Sequence, residues 1–243
     1  MQKRGLSQEG LKLIACITML VDHLAVVFVM GTIYSTHHGI RLEIYETMRL
    51  IGRIAFPIYC FLLAEGSTYT RSPARYGFRL AVCALLSELP YDLALWGRFT
   101  WQHQNVMVTL FLGFCALEVM KRYQNLLVKL LSVLPFAVLA ELAGGDYGAE
   151  GIMLVALFAL TRDLERRHLA QALGMWFIFS PNHAMFLNWF GHFSITTQEW
   201  AILSILPIAL YDGRKVTKSK IVQWVFYLFY PSHLLILYLF ARI

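Results

Sequence analysis

Charge is what this chain has least of. Asp, Glu, Lys and Arg supply 15% of its 243 residues, where a soluble globular domain carries about a quarter. Proline is also scarce, at 7 residues, and no Ser/Pro-rich linker, low-complexity tract or internal repeat interrupts the chain. Residues 1–243 therefore read as one domain rather than a string of tethered modules. The four cysteines, Cys16, Cys60, Cys83 and Cys115, lie inside apolar runs and none has C-x-x-C spacing. This argues against a disulfide framework or a zinc ribbon, and no metal site is expected. The first apolar run is too long for a cleavable signal peptide, and no small-residue cleavage site follows it. "GGDYGAEG" (144–151) is rich in glycine but lacks the lysine and the strand-to-helix setting of a phosphate loop.

What is abundant is apolar surface. Hydrophobic residues make up 58% of the chain and aromatics 14%, and apolar runs of about 20 residues recur, each long enough to cross a hydrocarbon core of roughly 30 Å. The reading is an all-α, polytopic transmembrane bundle. Spans are expected near 11–34, 48–68, 76–96, 105–121, 126–143, 147–161, 169–191, 198–211 and 221–241. These make nine spans, or ten if "FSPNHAMFLNWFGHF" (179–193) breaks into two short helices. The net charge of +6 does not point to nucleic acid, because Lys and Arg gather in alternate loops, as the positive-inside rule requires. That alternation puts the N-terminus in the cytoplasm and makes the lipid bilayer the chain's first partner.

Ionisable groups inside such spans need a partner or a water-filled cavity, and are functional candidates for that reason. "LVDHLAVV" (20–27) places Asp22 beside His23 in mid-span. Lys12 lies eleven residues before His23, about three turns, so the two share a helix face about 16 Å apart along the axis. Asp22 points about 100° away from His23 around the helix and is expected to orient a neighbouring helix. In the second span Arg49 and Arg53 lie at i,i+4, and Pro57 interrupts the helix four residues later. In the third, Glu88 and Asp92 flank Pro90, which is expected to open the helix; His103, Gln104 and Asn105 begin the next span at the same membrane face. Two readings of these carboxylates stay open: ion pairs with Arg49 and Arg53, or an outward-facing polar vestibule. Separately, the glycine-rich 144–151 reads as a tight outer turn where Tyr147 approaches a substrate. In the last span Tyr230 and His233 share a face at i,i+3, with Pro231 between them. His233 sits at the depth of His23, so the two face one cavity if the first and last helices pack together. The same His23, Glu88, Asp92 and His233 would also serve as the proton relay of a carrier.

"KLIACITMLVDHLAVVF", "RLIGRIAFPIYCFLLAEG", "SELPYDLA", "HQNVMVTLFLG", "YGAEGI", "LYDGRK" and "FYLFYPSHLLILYL" occur in the order seen in the TraX family, which this chain resembles over nearly its whole length. The family's namesake acetylates the N-terminus of F-type pilin. The family is similar to the acyltransferase-three and heparan-α-glucosaminide acetyltransferase group, whose first span carries a basic residue, ten intervening residues and a histidine; Lys12 and His23 match that spacing. The resemblance implies transfer of an acetyl group from cytoplasmic acetyl-CoA to a peptide, sugar or small-molecule acceptor at a bacterial cytoplasmic membrane. On that reading Lys12, Arg71, Arg75, Lys215 and Tyr230 are expected to hold the CoA, with cations facing its phosphates. His23 is the expected general base, with Asp22 and His233 beside it and Arg53 stabilising the oxyanion. Arg49, Glu88, Asp92, His103, Gln104, Asn105 and Tyr147 are expected to line the acceptor side.

Overall fold

Side-chain caps open four of the described helices in the computed structural model, which describes residues 5–29, 39–180, 198–217 and 219–242. Ser7 accepts from the Gly10 N–H and opens α1 (Gln8–Leu24), satisfying one of the orphan donors of a first helical turn. The helix then widens into a π-helical segment, Ala25–Val29, directly after Asp22 and His23. Next come α2 (Gly39–Gly52), α3 (Ala55–Tyr69) and α4 (Pro73–Trp96). α4 starts on a proline, whose missing N–H is no loss at the first helical position. It ends at Gly97, at φ +67°, the left-handed conformation that a glycine adopts without a Cβ penalty. Asn105 caps α5 (Val106–Met120) and Asn125 caps α6 (Leu126–Leu142). They are followed by α7 (Gly148–Leu160), α8 (Arg167–Phe179), a 3-10 segment (Glu199–Ser204), α9 (Ile205–Ala209), and α10 (Lys220–Phe240), capped by Ser219. Among the described residues there are only helices and two isolated bridges, with no strand.

The centre is α3. It is buried on nearly every side because α1, α5, α7 and the 3-10 segment all pack against it. α6 is the opposite case: Leu127, Leu130, Leu131, Leu134 and Leu142 are exposed, while only Val133, Ala137 and Ala140 on this helix are buried. A water-facing helix would carry charge there; an apolar outer face suits lipid. Among the described residues, three helical stretches are long and apolar enough to cross a membrane: Gln8–Val29, Glu43–Tyr69 and Ile221–Phe240. The four cysteines are free, with Cys16, Cys60 and Cys83 buried.

Two expectations about proline come out differently. The expected second span is two helices, α2 and α3, and the break falls at Arg53–Ile54, before Pro57 rather than at it. A proline ring clashes with the carbonyl four residues back, here that of Arg53, so the helix restarts with Pro57 in its first turn. Pro90, by contrast, does not open α4, which runs through it to Trp96. That helix is held along its length by α5 and α10, and the loss of one hydrogen bond is absorbed. The question of one or two helices in 179–193 falls almost wholly on 181–197, outside the described residues, as do Lys3, Arg4, His37, His38 and Lys218, five of the loop residues behind the expected orientation.

Candidate functional site

Asp22 and His23 are adjacent, and each turns to a different neighbour. Asp22 faces α2. Its Oδ2 accepts from Arg49 at 2.5 Å, and its Oδ1 lies 3.6 Å from Arg53. Gly52 makes this approach possible, since a Cβ there would collide with the Asp22 side chain. Arg53, freed from regular helix by the break, also donates to the Tyr147 hydroxyl at 3.2 Å and to Gln198 Oε1 at 2.9 Å. The Tyr147 ring stacks on Phe56, with centroids 3.7 Å apart. Tyr147 is the one described non-glycine residue with positive φ, at 64°, and this places its side chain at the start of α7. Asp146 beside it accepts the Thr109 hydroxyl on its backbone carbonyl at 2.5 Å. Burial pushes the Asp146 carboxyl up to about 6, with Arg53 pulling the other way.

His23 faces α10. Its Nδ1 lies 2.6 Å from His233 Nε2, and His233 Nδ1 lies 2.7 Å from the Phe229 carbonyl. The two ring centroids are 4.9 Å apart with planes 16° from parallel, the geometry of an edge-to-edge contact in one plane. Tyr230 sits one turn below His233, buried, with its ring centroid 6.2 Å from that of His23. Its hydroxyl lies beside the Val106 backbone without closing a hydrogen bond.

A cavity of about 680 Å³ runs alongside this seam. At one end it is lined by Lys12, Lys215, Glu65, Tyr69 and Arg79; its walls include Leu62, Leu63, Met107 and Leu110; and it reaches Met19 and Tyr230. Those two residues are one helical turn short of His23 and His233. Lys215 is brought to the mouth by a backbone strap: Leu6 pairs with Leu210 and Asp212, the Gln8 N–H donates to Arg214, and the Val216 N–H donates to Glu9. Lys12 lies 5.3 Å over the Phe226 ring, so α1 and α10 run parallel, with Lys12 beside Phe226 and His23 beside His233. Glu65 is paired with Arg162 at 3.1 Å, which leaves the three cations to dominate the mouth.

The structure brings together Lys12, Lys215 and Tyr230 at the cavity, His23 and His233 beyond it, and Asp22, Arg49, Arg53 and Tyr147 on the other side of α1. Other expected residues lie elsewhere. Arg71 and Arg75 are exposed at the start of α4 and do not line the cavity; Arg75 caps back onto Ser72 Oγ at 2.9 Å. Tyr76 and Arg79, a turn further along α4, take the place expected for them. Arg79 packs its guanidinium against Tyr76 and Tyr227 and has a buried Nε with no hydrogen-bond partner. Glu88 and Asp92 do not pair with Arg49 and Arg53; the carboxylate beside both arginines is Asp22, bonded to Arg49 and 3.6 Å from Arg53. Glu88 instead holds the Asn105 amide, whose Nδ2 also donates to the Ala84 carbonyl, and Asp92 accepts from the Thr100 N–H at 2.9 Å. Asn105 is thus an α4–α5 tie. His103 stacks on Trp96 at the exposed rim, with centroids 4.5 Å apart, and the Gln104 backbone pairs with Gly144 and Asp146. Glu88, Asp92, His23 and His233 form no continuous hydrogen-bonded relay among the described residues. Gln198 and Tyr59, whose hydroxyl meets Cys16 Sγ at 3.2 Å, were not legible beforehand; both are ordinary residues in sequence and acquire partners only in the packed bundle. No group of side chains suited to a metal ion occurs among the described residues.

Residues 7–241 match the family model described as TraX protein. The chain belongs to the TraX family. This TraX-family chain is also similar to the probable fimbrial assembly protein FimC, serogroup H1, of Dichelobacter nodosus, with 28% identity over 249 residues covering 93% of this chain and 92% of that protein. No solved structure matches it significantly.

Proposed function

We propose that this TraX-family chain is a multi-pass enzyme of the bacterial cytoplasmic membrane, a single domain with its N-terminus in the cytoplasm, that transfers an acetyl group from cytoplasmic acetyl-CoA to an amine or hydroxyl acceptor. The observation that carries the reading is the cavity, whose cationic mouth and apolar barrel end one turn from a pair of histidines. Its volume is in the range of small-molecule sites. Lys12, Lys215 and Arg79 suit the phosphates of CoA, and Leu62, Leu63 and Leu110 suit its pantetheine arm. Bound acetyl-CoA supplies the thioester carbonyl to be attacked.

His23 accepts the proton of the acceptor amine or hydroxyl as that group bonds to the acetyl carbon. The carbon–sulfur bond breaks, and His23 returns the proton to the departing thiolate. Arg53, which donates to Tyr147 and Gln198 and keeps a buried Nε without a hydrogen-bond partner, supplies positive charge for the reacting oxygen. Arg49 and Tyr147 form the acceptor side. Similarity to a fimbrial assembly protein favours a pilin-like peptide or another envelope molecule as the acceptor.

The experiment is incubation of purified protein with radiolabelled acetyl-CoA. Saturable binding and slow release of free CoA without acceptor are expected. A folded protein that binds none at millimolar concentration would contradict the proposal. Flux of protons through proteoliposomes, with no CoA binding, would establish a carrier instead.

A further inference from the structure

We propose that His233 is a positioning residue that fixes the tautomer of His23 and leaves Nε2 of His23 as the basic nitrogen. The inference rests on the acetyltransferase reading for its catalytic meaning, but its physical content stands on two hydrogen bonds. The Phe229 carbonyl can only accept, so His233 Nδ1, 2.7 Å away, must carry a proton. A neutral imidazole has one N–H, so His233 Nε2 holds a lone pair. His23 Nδ1, 2.6 Å from it, must therefore donate. The single N–H of neutral His23 is then spent on Nδ1, and its lone pair is on Nε2. No described residue hydrogen-bonds that nitrogen.

The near-coplanar rings agree with an in-plane N–H···N bond rather than face stacking. A cationic pair is disfavoured by what surrounds it. Arg49 and Arg53 face His23 from α2 and the α2–α3 break, and the one adjacent carboxylate, Asp22, is already committed to both. His233 is itself buried, with the Phe229 ring stacked at 4.7 Å. The arrangement parallels a triad in which a third group orients the base through its far nitrogen. Here the orienting group is neutral, and a backbone carbonyl orients it in turn. When His23 takes a proton on Nε2, the new charge is shared through the existing Nδ1–H to His233 Nε2, and no further proton moves.

The test is nitrogen NMR of protein labelled with 15N-histidine, in nanodiscs and without acetyl-CoA, with the His23 signals assigned by comparison with His23→Asn. The expected result at neutral pH is a protonated Nδ1 and an unprotonated Nε2 on His23. His233→Gln, which keeps an acceptor where Nε2 stood, should preserve that tautomer; His233→Leu, which keeps volume but no acceptor, should lose it. Acetyl transfer should fall roughly 10²-fold or more in His233→Leu and less than tenfold in His233→Gln. A wild-type His23 protonated on Nε2, or on both nitrogens, overturns the proposal without any variant being made. So does a tautomer unchanged in His233→Leu. If the tautomer is as expected and no acetyl transfer is found, the catalytic reading fails and the positioning inference stands.

Discussion

The two seams of α1 differ in kind. Towards α2 and the α2–α3 break the seam is charged: one carboxylate, Asp22, holds two arginines, and Tyr147 and Gln198 each accept a hydrogen bond from Arg53. Towards α10 the seam is neutral: His23, His233 and Tyr230 meet above an apolar barrel. Consecutive residues of one helix thus serve opposite environments, because a 100° step around the axis separates their side chains. The contrast separates an ion-paired side of α1, where Asp22 meets Arg49 and Arg53, from a side where two imidazoles meet each other.

The comparison is broken most severely from the charged side. Asp22→Ala leaves two partly buried guanidinium groups without their carboxylate, which costs about 3–5 kcal/mol. Thermal unfolding in detergent should register it as a large loss of melting temperature, and a variant as stable as the parent would show that the arginines are satisfied elsewhere. Smaller, and readable by pH, is the effect of Asp146 in the loop between α6 and α7. Its folded value, about 6, lies above the ordinary carboxyl value, so the folded chain binds the more protons between about pH 4 and 6. Its contribution to stability is present at low pH and is lost as pH rises through 6, by up to about 3 kcal/mol. Asp146→Asn should remove that decline from a series of melting temperatures; an unchanged pH slope would assign it to another group.

At the cavity mouth the expected effects are milder. Lys12→Ala and Arg79→Ala should each weaken acetyl-CoA binding about tenfold, some 1.4 kcal/mol, in a titration calorimeter. Arg71→Ala and Arg75→Ala, lying outside the cavity, should change it by less than about twofold, as exposed charges usually do. If instead Arg71 or Arg75 matters as much as Arg79, the nucleotide end lies over the exposed start of α4, and the cavity holds only the pantetheine arm.

Much of this architecture was legible in the sequence. The apolar runs expected at 76–96, 105–121, 126–143, 147–161 and 221–241 match α4, α5, α6, α7 and α10 to within a few residues. The meeting of His23 with His233 was foreshadowed by matched depth on the first and last spans, and the diversion of Asp22 to a neighbour by its angle. Partner choice was not legible, because it depends on which helices touch. Arg49 and Arg53 find Asp22 through Gly52, which reads as an unremarkable glycine until α1 is laid against it. Prolines show the same limit: Pro57 and Pro90 carry the same local penalty, and only the neighbours of each helix decide which one breaks. Arg79 was hidden for a related reason, as its value comes from facing Tyr227 across to α10.

The most direct test of the account is a paired measurement on His23→Ala: acetyl-CoA affinity by calorimetry and acetyl transfer by label incorporation. Affinity within about threefold of the parent, with transfer reduced by roughly 10³-fold or more, is the predicted result, since the cavity ends a turn short of His23. Transfer at the parental rate would contradict it, and would place the chemistry away from the α1–α10 seam.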